Sequence, residues 1–232
     1  YGRDAMVIPE VLSDNATRSV KSGNRYTGMN TVTHTATDAN VSRMWSQMYQ
    51  IITNTNAIIA NEATIKKIAT SLEQEEAAQL VGEAYAVRAL VYFDLMKFFA
   101  RPLNFTADGS HLGVPLVIKP IVNITEVVYP ARNTAAEVYA QIDKDITAAI
   151  ALLPQTGNVI SNGVVNNTLF KIRMNRFSTL ALKARVSVYK SDWASAADAA
   201  NQVIASGRYA LYTFGNMLQD FRTQNSAESI FE

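Results

Sequence analysis

Residues 184–197 read ARVSVYKSDWASAA, and the order of small and bulky side chains in this stretch decides the fold. Ala184 and Ala197 flank Tyr189 and Trp193. A small residue lets two helix backbones approach, and an aromatic ring fills the wedge where they diverge. Helical patterns run on either side, over about 175–190 and 193–206, with Gly207 placed to stop the second in a left-handed turn. Two short antiparallel helices joined by a tight reversal satisfy all of these features. Such spacing belongs to tetratricopeptide-like hairpins, which stack to bury what one pair cannot bury alone.

Further helices are marked upstream. Trp45, Met48, Tyr49, Ile52 and Ile59 form one face of a helix over about 42–61. A polar break follows, then a helix over about 72–99 with Leu80, Ala84, Val87, Val91, Leu95 and Phe98 as its apolar stripe. Glu73, Glu75 and Glu76 fall in its first turns, where the helix dipole favours negative charge and water solvates the side chains. Thr134 with Glu137 makes a capping box. Val138, Ile142, Ile146, Ala149 and Leu153 follow at helical spacing until Pro154. Ser161-Asn162-Gly163 marks a hairpin tip between Val159-Ile160 and Val164-Val165. Residues 1–43 lack a sustained period, and 13–40 read as a long loop or pair of loops. The expected fold is mainly α: tetratricopeptide-like stacked helical hairpins, with long loops and at most minor β structure, as one domain over 1–232.

Composition narrows the function. Of 232 residues, 48% are hydrophobic and 18% charged, which describes a globular chain with a core of its own. A net charge of +1 gives no basic footprint for nucleic acid. The longest oily stretch, 84–100, is broken by Arg88, Asp94 and Lys97. With no cysteine, disulfides and zinc–thiolate sites are excluded. The chain opens on Tyr1 without a leader and stops in a strand-like segment, so it is expected to be a trimmed fragment.

No constellation for catalysis is evident, and no cofactor or metal is expected. His34 and His111 lie in separate loops without ligand-spaced partners and read as solvated. No Gly-x-Ser-x-Gly elbow, phosphate loop or dinucleotide fingerprint occurs. Asp143 and Asp145 are near neighbours, but residues two apart on a helix point to different sides. Aromatic residues remain. Tyr26 lies in the polar loop near Asp14, Asn15, Arg18 and Arg25. Such a set suits a sugar, whose C–H face packs on the ring while polar groups bond its hydroxyls. The simpler reading, and the favoured one, is that Tyr26 pins its own loop to the helices. Trp45, Trp193, Tyr49, Tyr92 and Tyr139 lie on helix faces and are expected in the core.

Several segments carry a family resemblance. Residues 83–95, EAYAVRALVYFDL, resemble a helix of SusD/RagB-like proteins, and Gly113-Val114-Pro115-Leu116 resembles the turn that follows it. Residues 132–139, RNTAAEVY, with Ile142, Asp145, Ala149 and Leu152-Leu153-Pro154, are similar to the next helix of that family. Residues 181–189, Trp193, Ala197 and 206–211 resemble its later hairpin. Residues 45–51 and 56–59 resemble an earlier helix, and 225–232 the stretch that opens the family's second half. The resemblance implies a helical surface lipoprotein of the outer membrane of Bacteroidetes-type bacteria, without enzymatic activity. Such a protein binds an oligosaccharide, in some cases a peptide, and covers a SusC-like, TonB-dependent transporter. Compared with that family, the lipid-bearing cysteine, the first helix and the second half are expected to be missing from these 232 residues. Two other functions fit a helical stack: a tetratricopeptide-type adaptor binding a peptide in its groove, and a hydrolase built on Asp143 or Asp145.

Overall fold

The computed structural model describes every residue except 1, 14, 20, 22, 24, 69, 71, 72, 122, 124, 126–128, 167, 168, 225 and 232. The chain forms two compact units, Tyr1–Ile52 and Thr53–Glu232, and the division falls within one helix.

The first unit holds a helix that the sequence pattern does not announce, α1 (Gly2–Leu12), followed by the short α2 (Thr27–Asn30) and the start of α3 (Ala39–Ala60). Pro9 lies inside α1, and Asp4 interrupts its apolar face, so helical periodicity is masked. Ile8 and Val11 nevertheless form a small core with Met29, flanked by Val7, Tyr26 and Val41. Outside α2 and the start of α3, the described residues of the 13–40 interval are mostly turns and irregular backbone. On α3, Met44, Met48 and Ile52 are buried, while Trp45 and Tyr49 are half-buried with ring centres 4.8 Å apart.

The second unit contains the end of α3, then α4 (Glu62–Ile68), α5 (Gln74–Phe99), α6 (Ala135–Leu152), α7 (Arg176–Tyr189), α8 (Trp193–Ala205) and α9 (Met217–Phe221). α4 occupies what reads as a polar break. The expected start of α5 at Leu72 lies outside the described residues. α5, α6, α7 and α8 pack in chain order. Gly82, near the start of α5, faces Leu152 and Leu153 at the end of α6; a Cβ there would come within 3.0 Å of the Leu153 side chain. At the other end, Met96 and Val138 close on Gly113. These two contacts make α5 and α6 antiparallel. The guanidinium of Arg176 donates to the Ile150 carbonyl (2.8 Å), and Lys190 pairs with Asp143, so α6 and α7 are antiparallel too. Leu180 packs with Ala199 and Val203, which reverses the chain again into α8.

The caps act where the sequence places them. The Glu137 amide donates to Thr134 Oγ1 (3.2 Å), and the Thr134 amide donates to Glu137 Oε2 (2.9 Å). Asn175 accepts from Phe177 and Ser178 to start α7, and Asp192 accepts from Ser195 to start α8. Gly207 stands at φ +64° beyond α8. β1 (Ile160–Ser161) and β2 (Val164–Val165) form the expected hairpin, with Asn162 and Gly163 both at positive φ in its tip.

Two burial assignments need correction. On α5, Leu80 is exposed and Gln79 is buried, because the Gln79 side chain is hydrogen-bonded inside the fold: the Ile160 amide donates to its Oε1 at 2.7 Å. On α8, Trp193 is 65% exposed and Ala197 is exposed, whereas Ala196, Ala199 and Val203 are buried. α8 packs on α7 through the 196–199–203 stripe. Ala197 lies about 100° round the helix from Ala196, and Trp193 precedes the stripe at the first helical residue. Tyr189 serves α5 instead, meeting the Phe93 ring edge-on at 5.0 Å. Tyr92 and Tyr139 are buried as expected.

Beneath these apolar contacts lies a polar network. Arg88 of α5 donates two bonds to Asp145 of α6, at 2.7 and 2.6 Å, and one to Asn56 Oδ1 at 2.7 Å. Asn56 donates to the Val117 carbonyl at 2.7 Å, and the Val117 amide donates to the Tyr92 hydroxyl at 2.7 Å. The extended 113–118 segment is thereby fastened to the helices through side chains.

Candidate functional site

Of the five loop residues singled out by chemistry, Asp14 lies outside the described residues. Tyr26 sits just before α2 in a left-handed conformation (φ 55°), with its half-buried ring against the Ile8–Val11–Met29 core. Its hydroxyl donates to Asp4 Oδ1 at 2.6 Å. Asp4 also accepts from Arg43 Nε at 3.2 Å and from Arg3 at 3.4 Å. Burial works to raise the Asp4 carboxyl, but the Tyr26 bond and the Arg43 and Arg3 charges outweigh it and hold the group below its usual range. Burial, then the bond to Asp4, push the Tyr26 phenol above its ordinary value. Arg18 secures the loop itself: its amide donates to Asn30 Oδ1 at 3.0 Å and its guanidinium to the Gly23 carbonyl. Asn15 and Arg25 are exposed. Tyr26 and Arg18 thus hold the loop, while Asn15 and Arg25 offer their groups to solvent; among the described residues no hydrogen bond joins Arg18, Arg25 and Tyr26 to one another.

The carboxylates are not paired with each other. Asp145 is fully buried against Arg88, and Asp143 on the same helix pairs with Lys190. Glu76, expected to be solvated, accepts the Asn162 and Gly163 amides (3.2 and 3.0 Å) and so holds the hairpin tip. His34 is exposed as expected. His111 is not simply solvated: it is half-buried, its Nδ1 lies 2.9 Å from Thr106 Oγ1, and Phe105 meets its ring edge-on. Among the described residues no group of three or more His, Cys, Asp or Glu side chains could hold a metal ion, and no helix is long and apolar enough to cross a membrane.

A second surface escaped the loop-based reasoning. An open cleft of about 480 Å³ lies between residues 103–109, α6 and the α7–α8 turn. Tyr139, Tyr189, Asp143, Lys190, Asn104 and Asp108 line it. One signal was available in the sequence: Ala136, Tyr139, Ala140 and Asp143 recur at spacings of three and four, so two small residues lie beside a ring and a carboxylate on one helix face.

A family model described as "starch-binding associating with outer membrane" matches residues 2–187. The chain belongs to the SusD-like family. A SusD-like protein of Formosa agariphila is 28% identical over 169 residues, which is 73% of this chain and 27% of that protein. A SusD superfamily protein of Bacteroides thetaiotaomicron has a solved structure that superposes with a TM-score of 0.75 at 27% identity, covering 94% of this chain and 44% of that one. Another, from Bacteroides vulgatus, gives a TM-score of 0.72 at 28% identity over 88% of this chain and 43% of its own. The chain therefore spans less than half the length of these SusD-like relatives. The mainly helical, tetratricopeptide-like architecture expected from residues 184–197 is the architecture of this family.

Proposed function

We propose that this SusD-like chain is the helical part of a non-catalytic glycan-capture protein. In this reading the protein is lipid-anchored on the outer face of the outer membrane and covers a SusC-like, TonB-dependent transporter. The observation that carries the reading is the match of a starch-binding, outer-membrane family model over residues 2–187. The physical organisation supports it. Within the second unit the helices are stapled by their own caps and by the Arg88–Asp145 network, so they form a rigid support for the loops of that unit. The residues proposed to meet the sugar are Asp14, Asn15, Arg18, Arg25 and Tyr26, with Tyr26 and Arg18 ordering the loop and Asn15 and Arg25 reaching the ligand. Weak binding suffices for capture at a surface, since a millimolar complex needs only about −4 kcal/mol.

Calorimetry of the full-length protein with a panel of soluble oligosaccharides, including maltooligosaccharides, tests the proposal. Saturable heat with one class of sugar is expected. Heat from peptides and from no sugar would replace the reading with that of a peptide-binding adaptor.

A further inference from the structure

We infer that Asn162 is a self-modification site, where the side-chain amide converts to an acid, and that Glu76 holds the reaction back. This chemistry is independent of any bound glycan.

Asn162-Gly163 is the single Asn-Gly pair of the chain. Glycine has no side chain to shield its backbone nitrogen, so that nitrogen can reach the preceding amide. The Gly163 nitrogen gives up its proton and adds to Asn162 Cγ. A C–N bond forms, the Cγ–Nδ2 bond breaks, and the amide nitrogen leaves as ammonia. The five-membered cyclic imide then takes up one water. Opening at Cγ gives aspartate. Opening at the backbone carbonyl carbon gives isoaspartate, in which the main chain passes through the former side chain. Nothing is oxidised or reduced.

The hairpin tip is open to this water. Asn162 and Gly163 are exposed, and a Cβ placed on Gly163 would meet nothing within 4 Å. The strands behind it pair only Ile160 with Val165 and Ser161 with Val164, and so short a ribbon is marginal by itself. Gln79 fastens its base through the Ile160 amide. Glu76, near the start of α5, fastens the tip: the Asn162 amide donates to Oε1 at 3.2 Å and the Gly163 amide to Oε2 at 3.0 Å.

The bond to Gly163 bears on the reaction itself. The nitrogen that must attack has its proton directed at a carboxylate, and a neighbouring negative charge disfavours the deprotonated nitrogen. Asn162 stands at φ 55° and Gly163 at φ 73°, the left-handed pair of a tight turn. Ring closure swings Asn162 Cγ into line with the Gly163 nitrogen about the Cα–C bond, which takes Asn162 out of that turn. The chemistry therefore waits on local opening of the tip away from Glu76. Once it has happened, the tip cannot return. A carboxylate at 162 faces the Glu76 carboxylate, and like charges at that range repel. Isoaspartate also adds a carbon to the main chain, so the two amides no longer match the two oxygens.

The test is tandem mass spectrometry of the full-length protein during incubation at neutral pH, scoring amide-to-acid conversion at Asn162. Asn158, which precedes the bulky Val159, is the internal reference. Folded wild type, urea-unfolded wild type, Glu76→Gln and Glu76→Ala are compared, and circular dichroism checks that both variants fold. In the unfolded chain Asn162 should convert faster than Asn158. In Glu76→Ala it should convert about tenfold faster than in folded wild type, through the lost charge-assisted bonds. Glu76→Gln keeps the shape and one acceptor, so its rate should fall between the two. Equal conversion of Asn162 and Asn158 in the unfolded chain would overturn the modification site. A Glu76→Ala rate equal to that of wild type would overturn the restraint by Glu76. A slower rate would overturn it too, and would make Glu76 a base that assists the attack.

Discussion

Replacing Asp145 with Ala removes one half of the ion pair on which the α5–α6 interface turns. Both partners are out of water, with 5% of the Arg88 side chain exposed and none of the Asp145 side chain. The substitution deletes both acceptors of the bidentate pair and the acceptor of the Gln141 amide at 2.8 Å. Arg88 keeps one described bond, to Asn56 Oδ1, and its charge is left in a nearly dry interior. Breaking a buried pair in this way costs about 3–5 kcal/mol, against a total stability of about 5–15 kcal/mol for a typical domain. Arg88→Met with Asp145→Leu removes both charges and refills the space with apolar atoms, so most of the loss should return. Urea unfolding followed by far-ultraviolet circular dichroism on wild type, Asp145→Ala, Asp145→Leu, Arg88→Met and the double variant measures the loss and closes the cycle. The reasoning fails if Asp145→Ala costs less than about 1 kcal/mol, or if the double variant is no more stable than the single ones.

Three further outcomes are expected. Gly157 stands at φ +70° with its open side filled by the Phe177 ring, so Gly157→Ala should cost about 1–3 kcal/mol in the urea midpoint, through both strain and overlap. Asn175 caps α7 and its amide donates to the Phe170 carbonyl at 2.6 Å; Asn175→Ala should lower stability by about 1–2 kcal/mol, read by thermal unfolding. Asp4 has a depressed carboxyl in the folded chain, so its contribution is fully present above the unfolded value of about 3.9 and is lost as pH falls through the lower folded value. Asp4→Asn should therefore flatten the acid limb of stability against pH, and a limb identical to wild type would contradict the Asp4–Tyr26–Arg43 linkage.

What could be read in advance was local. Thr134, Glu137 and Pro154 bound α6 because caps and breakers act within one turn. Asn162-Gly163 turns the hairpin because both positions need positive φ. Where long-range partners decide, the pattern misled or was silent. Gln79 is buried by a bond to Ile160, which lies 81 residues away in the chain. Arg88 looks like a break in an oily run until Asp145, 57 residues on, is brought against it. α1 is hidden by Pro9 and by Asp4, whose burial makes sense only once Tyr26 and Arg43 arrive. The same holds for the sites. Loop chemistry drew attention to Tyr26, but its hydroxyl is taken by Asp4. The cleft at Tyr139 and Tyr189 is assembled from three segments that share no motif.

Equilibrium dialysis of the full-length protein against a labelled maltooligosaccharide, followed by chromatography of the recovered sugar, tests most directly whether this helical stack holds a glycan without altering it. The account predicts saturable retention, with the ligand recovered at its original length. Ligand that is not retained, or that is recovered shortened, would contradict it.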